Sequence, residues 1–271
     1  MSAVPPPPAL SAIVTRLRAA GCVFAEDEAR LLISTARTPA ELADMVDRRA
    51  AGLPLEQVVG WAEFCGLRIA VTPGVFVPRR RTEFLVRQAV ALARPAAGRA
   101  GSRPVVVDLC CGSGAVGAAL GAALGPVELH AADVDPVAVA CARRNLAAAG
   151  GQVYQGDLYE PLPAALRGRI DLLAANVPYI PTEEIELLPA EARIHEPRAA
   201  LDGGPDGLDV LRRVAAAAPR WLAAGGHLLI ETSERQAPRA VAAFTRSGLV
   251  PRVASSEEPS ATVVIGTRAP I

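Results

Sequence analysis

The sequence predicts an α/β chain: an open, mostly parallel sheet ending in an antiparallel strand pair, preceded by a small helical domain and a linking β-hairpin. Three observations carry this. From Pro104 onward, short β-branched runs alternate with helical runs, the pattern of successive βα units. Between the first such strand and the first such helix lies Gly112-Ser113-Gly114, a small-residue turn of the kind that feeds a strand into a helix. Before residue 58, by contrast, apolar residues recur only at helical spacing.

Taken in order, Pro5, Pro6, Pro7 and Pro8 read as a polyproline II tail. Leu10, Ile13, Val14 and Leu17 then mark one helix, which Gly21 stops. Ala29, Leu31, Leu32 and Ile33 mark a second, starting near Glu26. Thr38 caps a third, with Pro39 in its first turn and Gly52 past its end. Residues 1–58 are therefore expected to form a helical domain. Residues 59–80 read as the linking hairpin, its strands at 61–64 and 67–71 meeting at Cys65-Gly66. Residues 81–271 form the sheet domain. Its first helix is expected over 83–92, followed by a linker at 95–103. Strands are expected at 105–109, 127–134, 152–157, 170–175 and 227–231, with the final pair at 250–254 and 261–266. Helices are expected from Ala115, from Pro136 and over 208–222, and 180–207 reads as one long loop.

Composition narrows the function classes. With 28 basic and 28 acidic residues, the chain has no global field to attract nucleic acid or a membrane surface. Five cysteines without a C-x-x-C pair suggest reduced thiols and a cytoplasmic location. Residues 1–8 lack the basic start and apolar core of a secretory signal. The uncharged run near 109–127 is rich in glycine and follows a strand, so it reads as a loop and a buried helix, not a membrane span. His130, His195 and His227 are scattered without ligand spacing, and no metal site is expected.

Gly112-x-Gly114-x-x-Gly117 matches the dinucleotide fingerprint in form. Asp108 argues against a dinucleotide. It ends the strand before the loop, where a carboxylate would repel a pyrophosphate at the helix N-terminus and attract a cation. S-adenosyl-L-methionine carries a sulfonium and no phosphate. Asp133, at the end of the next strand, can accept both ribose hydroxyls. Cys110 and Cys111 read as small packing residues of this loop.

A second constellation, Asn176-Val177-Pro178-Tyr179, follows the buried run at 170–175. It therefore lies at the carboxyl end of the sheet, where open α/β folds hold ligands. Asn176 supplies an amide oxygen, Pro178 forces Val177 into extended backbone, and Tyr179 supplies an aromatic face. Such a set can grip a planar NH2 group by both hydrogens while stacking on the plane.

Asp108-Leu109-x-x-Gly112-Ser113-Gly114 resembles the signature of class I (Rossmann-like) S-adenosylmethionine methyltransferases. The Asn-Val-Pro-Tyr motif resembles the Asn-Pro-Pro-Tyr signature of methyltransferases acting on planar nitrogens. Further residues narrow the resemblance to the release-factor (protein) glutamine N5-methyltransferases of the HemK type. They are Gly60, Phe64, Gly66, Leu67, Pro78, Arg79, Thr82 and Glu83, then Glu196-Pro197-Arg198, then Ala200-Leu201-Asp202-Gly203-Gly204 and Asp206-Gly207-Leu208. The resemblance implies that Asp108, Cys110, Cys111, Gly112, Ser113, Gly114, Asp133, Asp157, Leu158 and Asn176 line the cofactor site, with Asp157 near the adenine. It implies that the Asn176 side-chain oxygen and the Val177 carbonyl accept the two amide hydrogens, beside Pro178 and Tyr179. It also implies that the helical domain recognises the substrate: a protein bearing a glutamine, with a peptide-chain release factor as one candidate. A monomer without nucleic-acid or membrane partners is expected.

The chain departs from the family at several points. Val177 stands for Pro, Cys110 for the first loop glycine, and Arg80 and Arg81 for Pro and Glu. Glu257-Glu258-Pro259-Ser260 replaces the usual terminal turn. The chain thus reads as a divergent paralogue. Methylation of a small-molecule amide or amine, or of a nucleobase amine, is the alternative, and a non-catalytic cofactor-binding scaffold is a further one. Arg79, Arg80 and Arg81 read as a solvated turn, with a binding edge for an acidic partner as the other reading.

Overall fold

The computed structural model describes residues 7–96, 103–258 and 260–270. Helices α1 (Pro7–Ala19), α2 (Ala25–Thr35), α3 (Pro39–Ala50) and α4 (Leu55–Val59) open the chain. The cap of α3 is the expected one: Thr38 Oγ1 accepts the Glu41 N–H and Pro39 sits in the first turn. One expectation needs correction here, and one helix is unforeseen. Pro7 and Pro8 belong to α1, not to a polyproline tail, because the first helical turn needs no N–H from them; Pro5 and Pro6 lie outside the described residues. Helix α4 is too short to show a period, and Gly60 ends it in the left-handed region at φ +83°. Leu17, Ala29, Leu32, Met45, Val46 and Val58 close a core separate from the sheet.

The hairpin pairs β1 (Trp61–Phe64) with β2 (Leu67–Ala70), Phe64 facing Leu67. Cys65 and Gly66 both have positive φ, which suits the two-residue turn that matches strand twist. Helix α5 (Glu83–Ala96) runs through Pro95. The expected linker is therefore shorter, and residues 97–102 of it lie outside the described residues.

There follow β3 (Val105–Leu109), α6 (Ala115–Leu124), β4 (Glu128–Asp133), α7 (Pro136–Leu146), β5 (Gln152–Gln155) and β6 (Ile170–Ala175). Next come α8 (Ala190–His195), α9 (Arg198–Leu201), α10 (Asp209–Trp221), β7 (Leu222–Thr232), α11 (Ala237–Arg246), β8 (Leu249–Ser256) and β9 (Ala261–Arg268). The supposed loop at 180–207 thus holds a 3-10 turn at Thr182–Leu187 and two short helices. Strand β7 also starts earlier than expected and takes in Gly225 and Gly226. A Cβ on Gly226 would lie 2.5 Å from the Ile170 carbonyl oxygen, so only glycine lets the two backbones approach there.

The sheet order is β5-β4-β3-β6-β7-β9-β8. All neighbours are parallel up to β7, and β9 and β8 join antiparallel. Both faces are covered: Val107, Leu109 and Leu173 pack with Trp221 on one side, and Val106 and Leu172 pack with Leu120 and Leu146 on the other. That explains the apolar stretches within β3 and β6, Val105-Val106-Val107 and Leu172-Leu173-Ala174-Ala175. The chain leaves β3 towards β4 and returns to β6 on its other side, which makes a switch point. Leu109 pairs with both Ala132 and Ala175. Cys110 and Asn176, which follow β3 and β6, and Asp133, which ends β4, therefore emerge at one level. Among the described residues no helix is long and apolar enough to cross a membrane.

Candidate active site

A cavity of about 790 Å³ opens at this carboxyl edge. Its wall includes Asp108, Cys110, Cys111, Gly112, Ser113, Asp133, Asp157 and Leu158 on one side, and Asn176, Val177, Pro178 and Tyr179 on the other. Gly114 stands behind the wall. A Cβ there would meet the Ala142 Cβ at 3.1 Å, so this glycine allows α6 and α7 to pack closely.

The loop after β3 is folded by carboxylates. Asp108 is buried, and its Oδ2 accepts the Gly117 N–H at 2.8 Å, one of the free donors of the first turn of α6. Burial pushes this carboxyl up to about 8. The same carboxyl caps the first turn of α6 from the end of β3. Asp133 takes the Gly112 N–H on Oδ2 (2.8 Å) and the Asp135 N–H on Oδ1 (3.0 Å). Each oxygen keeps a lone pair, enough to accept a diol. Asp157 is paired with Arg213 of α10.

Cys110 has φ +53°, the left-handed backbone that glycine supplies in the resembled signature. A side chain there costs about 1–2 kcal/mol. Burial and the neighbouring carboxylates push the thiols of Cys110 and Cys111 up, so neither is a ready thiolate. Cys110→Gly should leave stability within about 1 kcal/mol of the parent, since relieved strain and added freedom in the unfolded chain oppose each other. Cys110→Val should destabilise by about 1–3 kcal/mol, because a branched side chain tolerates this region worst. Urea melts compare the three, and a valine variant as stable as the parent would remove the strain from this account.

The Asn176 amide is held at one end. Its Nδ2 donates to Thr82 Oγ1 at 3.5 Å. Its Oδ1 is shielded from solvent and has no hydrogen-bond partner among the described residues. An orphaned buried acceptor costs about 1–3 kcal/mol, and a donor arriving from the cavity would relieve that. Val177 is 1% exposed, and its N–H makes no hydrogen bond among the described residues. Val177→Pro should therefore keep turnover within about threefold, because Pro removes only an unused donor and fixes φ. A loss beyond that in initial-rate assays would show that the Val177 N–H has work to do.

The exit of the motif is pinned. Gln236 Nε2 donates to the Tyr179 carbonyl at 2.9 Å and to the Asp206 carbonyl at 3.1 Å. Gly207 passes so close that a Cβ would lie 2.3 Å from the Tyr179 oxygen. Of the three arginines, Arg80 is exposed without an ion pair among the described residues, as a solvated turn would have it, and the other two are paired. Arg79 pairs with Glu196 at 2.6 Å and Arg81 with Glu231 at 2.9 Å; both carboxylates are buried. These partners stand 117 and 150 residues away in sequence, beyond any local pattern. Of the histidines, His130 stacks on Tyr154 and His227 bonds Thr267, both as parts of the sheet. No metal-holding group of side chains occurs among the described residues.

The donor set fits S-adenosyl-L-methionine. It offers a carboxylate with free lone pairs at the end of β4 and an acidic residue after β5, and the arginines of the wall, Arg79, Arg81 and Arg213, are each already paired with a carboxylate.

Residues 68–206 match the family described as Methyltransferase small domain. A release factor glutamine methyltransferase of Geobacter sulfurreducens is 40% identical over 235 residues, covering 85% of this chain and 79% of the relative. A 4-amino-L-phenylalanine/4-methylamino-L-phenylalanine methyltransferase of Streptomyces pristinaespiralis is 36% identical over 203 residues, covering 75% and 69%. Among solved structures, a methyltransferase from Pyrococcus furiosus superposes with a TM-score of 0.53 at 14% identity, covering 75% of this chain and 90% of that one. It shares the fold.

Proposed function

The chain belongs to the release factor glutamine methyltransferase family, and from that premise we propose that it methylates the side-chain nitrogen of a glutamine in a protein, with S-adenosyl-L-methionine as its cofactor. The observation that carries the reading is the orphaned Asn176 Oδ1 on the wall of the cavity. When bound, S-adenosyl-L-methionine would supply an electrophilic methyl group and leave as S-adenosylhomocysteine, the methylated nitrogen giving up one proton to solvent. What the chain supplies is grip and orientation. Asn176 Oδ1 and the Val177 carbonyl take one amide hydrogen each and aim the nitrogen across the cavity. An amide nitrogen is a weak nucleophile because its lone pair is delocalised. Two fixed acceptors stabilise the positive charge that grows on it, and they need no reorganisation to do so. Holding the two reactants in line supplies much of the remaining rate. Tyr179 offers its ring to the amide plane, and Asp133 and Asp157 would hold the cofactor's polar groups.

The helical domain is the surface we assign to the protein acceptor. Arg49 of α3 pairs with Glu28 of α2 at 2.6 Å and with Glu191 of α8 at 2.7 Å, so the bundle is tied to a wall of the same cavity. A cytoplasmic monomer that meets its protein partner only to react fits this reading.

One relative acts on an aromatic amine, which makes a small acceptor the second reading. Competition decides between them. With labelled cofactor, a release factor bearing its native glutamine should take methyl in preference to 4-amino-L-phenylalanine at equal concentration. Preference for the free amino acid would reverse the assignment.

A further inference from the structure

Residues 75–82 pass along the cavity and then turn into α5, pinned at nearly every second position. The Val75 carbonyl accepts from Gln57 Nε2 of α4 at 3.1 Å. The Val77 N–H donates to Glu196 Oε1 at 3.2 Å, and Arg79 holds the other oxygen of that carboxylate. Two consecutive side chains then reach the motif. Arg81 Nε donates to Glu231 Oε1 at 2.9 Å, and a terminal nitrogen of the same guanidinium donates to the Tyr179 hydroxyl. Its central carbon lies 5.8 Å from the centre of the Tyr179 ring. Thr82, only 2% exposed, takes the Asn176 Nδ2.

We infer that Thr82 and Arg81 are positioning residues for the acceptor motif: Thr82 sets which end of the Asn176 amide is free, and Arg81, held by buried Glu231, sets Tyr179. The inference rests on the reading of Asn176 as a hydrogen-bond acceptor for the substrate nitrogen. The two ends of a primary amide are nearly equal in shape and opposite in hydrogen-bonding sense. Turned round, Asn176 would meet an incoming NH2 donor to donor. A hydroxyl can donate as well as accept; here that of Thr82 accepts from Nδ2, the arrangement that leaves Oδ1 to the cavity. For Tyr179 the constraint is double, because the guanidinium engages both the hydroxyl and the ring. Glu231 anchors it. It follows Ile230, the register partner of Ala175, so it stands beside Asn176 at the strand ends. Its side chain is 2% exposed and its second oxygen has no partner among the described residues. The carboxylate therefore depends on Arg81 for its charge pairing, and Arg81 in turn is held in place by a buried group.

Thr82→Val keeps the shape and removes the hydroxyl. It should lower kcat about tenfold, while the acceptor KM and the calorimetric affinity for S-adenosylhomocysteine stay within about twofold of the parent. Thr82→Ser should restore the rate, which a loss due to packing would not predict. Arg81→Lys keeps a charge beside Glu231 but cannot bond Glu231 and the Tyr179 hydroxyl together in one fixed plane. It should raise the acceptor KM about fivefold without changing cofactor affinity. A readout without any acceptor is hydrogen exchange of the Asn176 side-chain NH2 by NMR, which Thr82→Val should accelerate. Should the parent methylate an amine other than glutamine, the proposed function fails, yet the ratio of variant to parent on that amine still tests Thr82. Wild-type kcat in Thr82→Val, or unchanged Asn176 exchange, overturns the assignment of Thr82. An unchanged acceptor KM in Arg81→Lys overturns that of Arg81.

Discussion

Asn176→Ala is expected to lower the turnover of methyl transfer about 100- to 1,000-fold, the scale of a deleted transition-state hydrogen bond of roughly 2.7–4 kcal/mol. Cofactor affinity should barely move. The reason is differential binding. The amide nitrogen carries little positive charge before reaction and more as the new bond forms, so the Asn176 oxygen attracts its hydrogens most strongly at the transition state. The shielded Oδ1 has no partner among the described residues, so its acceptor capacity is free for the substrate nitrogen. Asn176→Asp, by contrast, keeps an oxygen but can bury a charge, and it should bind the cofactor more tightly than it turns over. Single-turnover rates with calorimetry on the same preparations separate the two terms. A turnover near the parent's in Asn176→Ala would remove the amide grip.

The second large effect is expected at Asp133. Asp133→Ala should weaken S-adenosyl-L-methionine binding by roughly 1.5–3 kcal/mol, or about 10- to 150-fold, the worth of hydrogen bonds to a charged group. Part of this loss is local. The same carboxylate holds the Gly112 N–H and the Asp135 N–H, so its removal also frees the loop that lines the site. Asp133→Asn retains a single acceptor and should fall between alanine and the parent. Calorimetry with S-adenosylhomocysteine measures all three, and equal affinities would take Asp133 out of the site.

Much of this arrangement is legible in the residues alone. Alternating strand-like and helical runs mark β3 to β6, and the apolar stretches of β3 and β6 follow from burial on both faces. The positions of Cys110, Asp133 and Asn176 follow from those strand ends, since parallel strands in register bring their exits together. Shorter elements are not legible. Helices α4, α8 and α9 span four to six residues each, less than two turns, so no apolar period can develop. Gly225 and Gly226 precede the strand expected at 227–231, yet they lie within β7, and at Gly226 only glycine lets the chain pass the Ile170 carbonyl. Residues that brace the site are the least visible. Arg81 with Glu231, Arg79 with Glu196 and Arg213 with Asp157 are joined only by the closed fold. In sequence Arg79 and Arg81 belong to a run of like charges, whose plainest reading is solvent exposure. The departure at Cys110 shows the reverse case. Its backbone is the one glycine would adopt, so the fold has kept the conformation and accepted the side chain.

The most direct measurement of the central claim locates the methyl group. A release factor is incubated with the purified chain and S-adenosyl-L-methionine, and its peptides are sequenced by tandem mass spectrometry. One methyl on the side-chain nitrogen of a single glutamine, absent when Asn176→Ala replaces the parent, is the result predicted here. Methyl found on another residue type, or on glutamine at the same rate with Asn176→Ala, would contradict it.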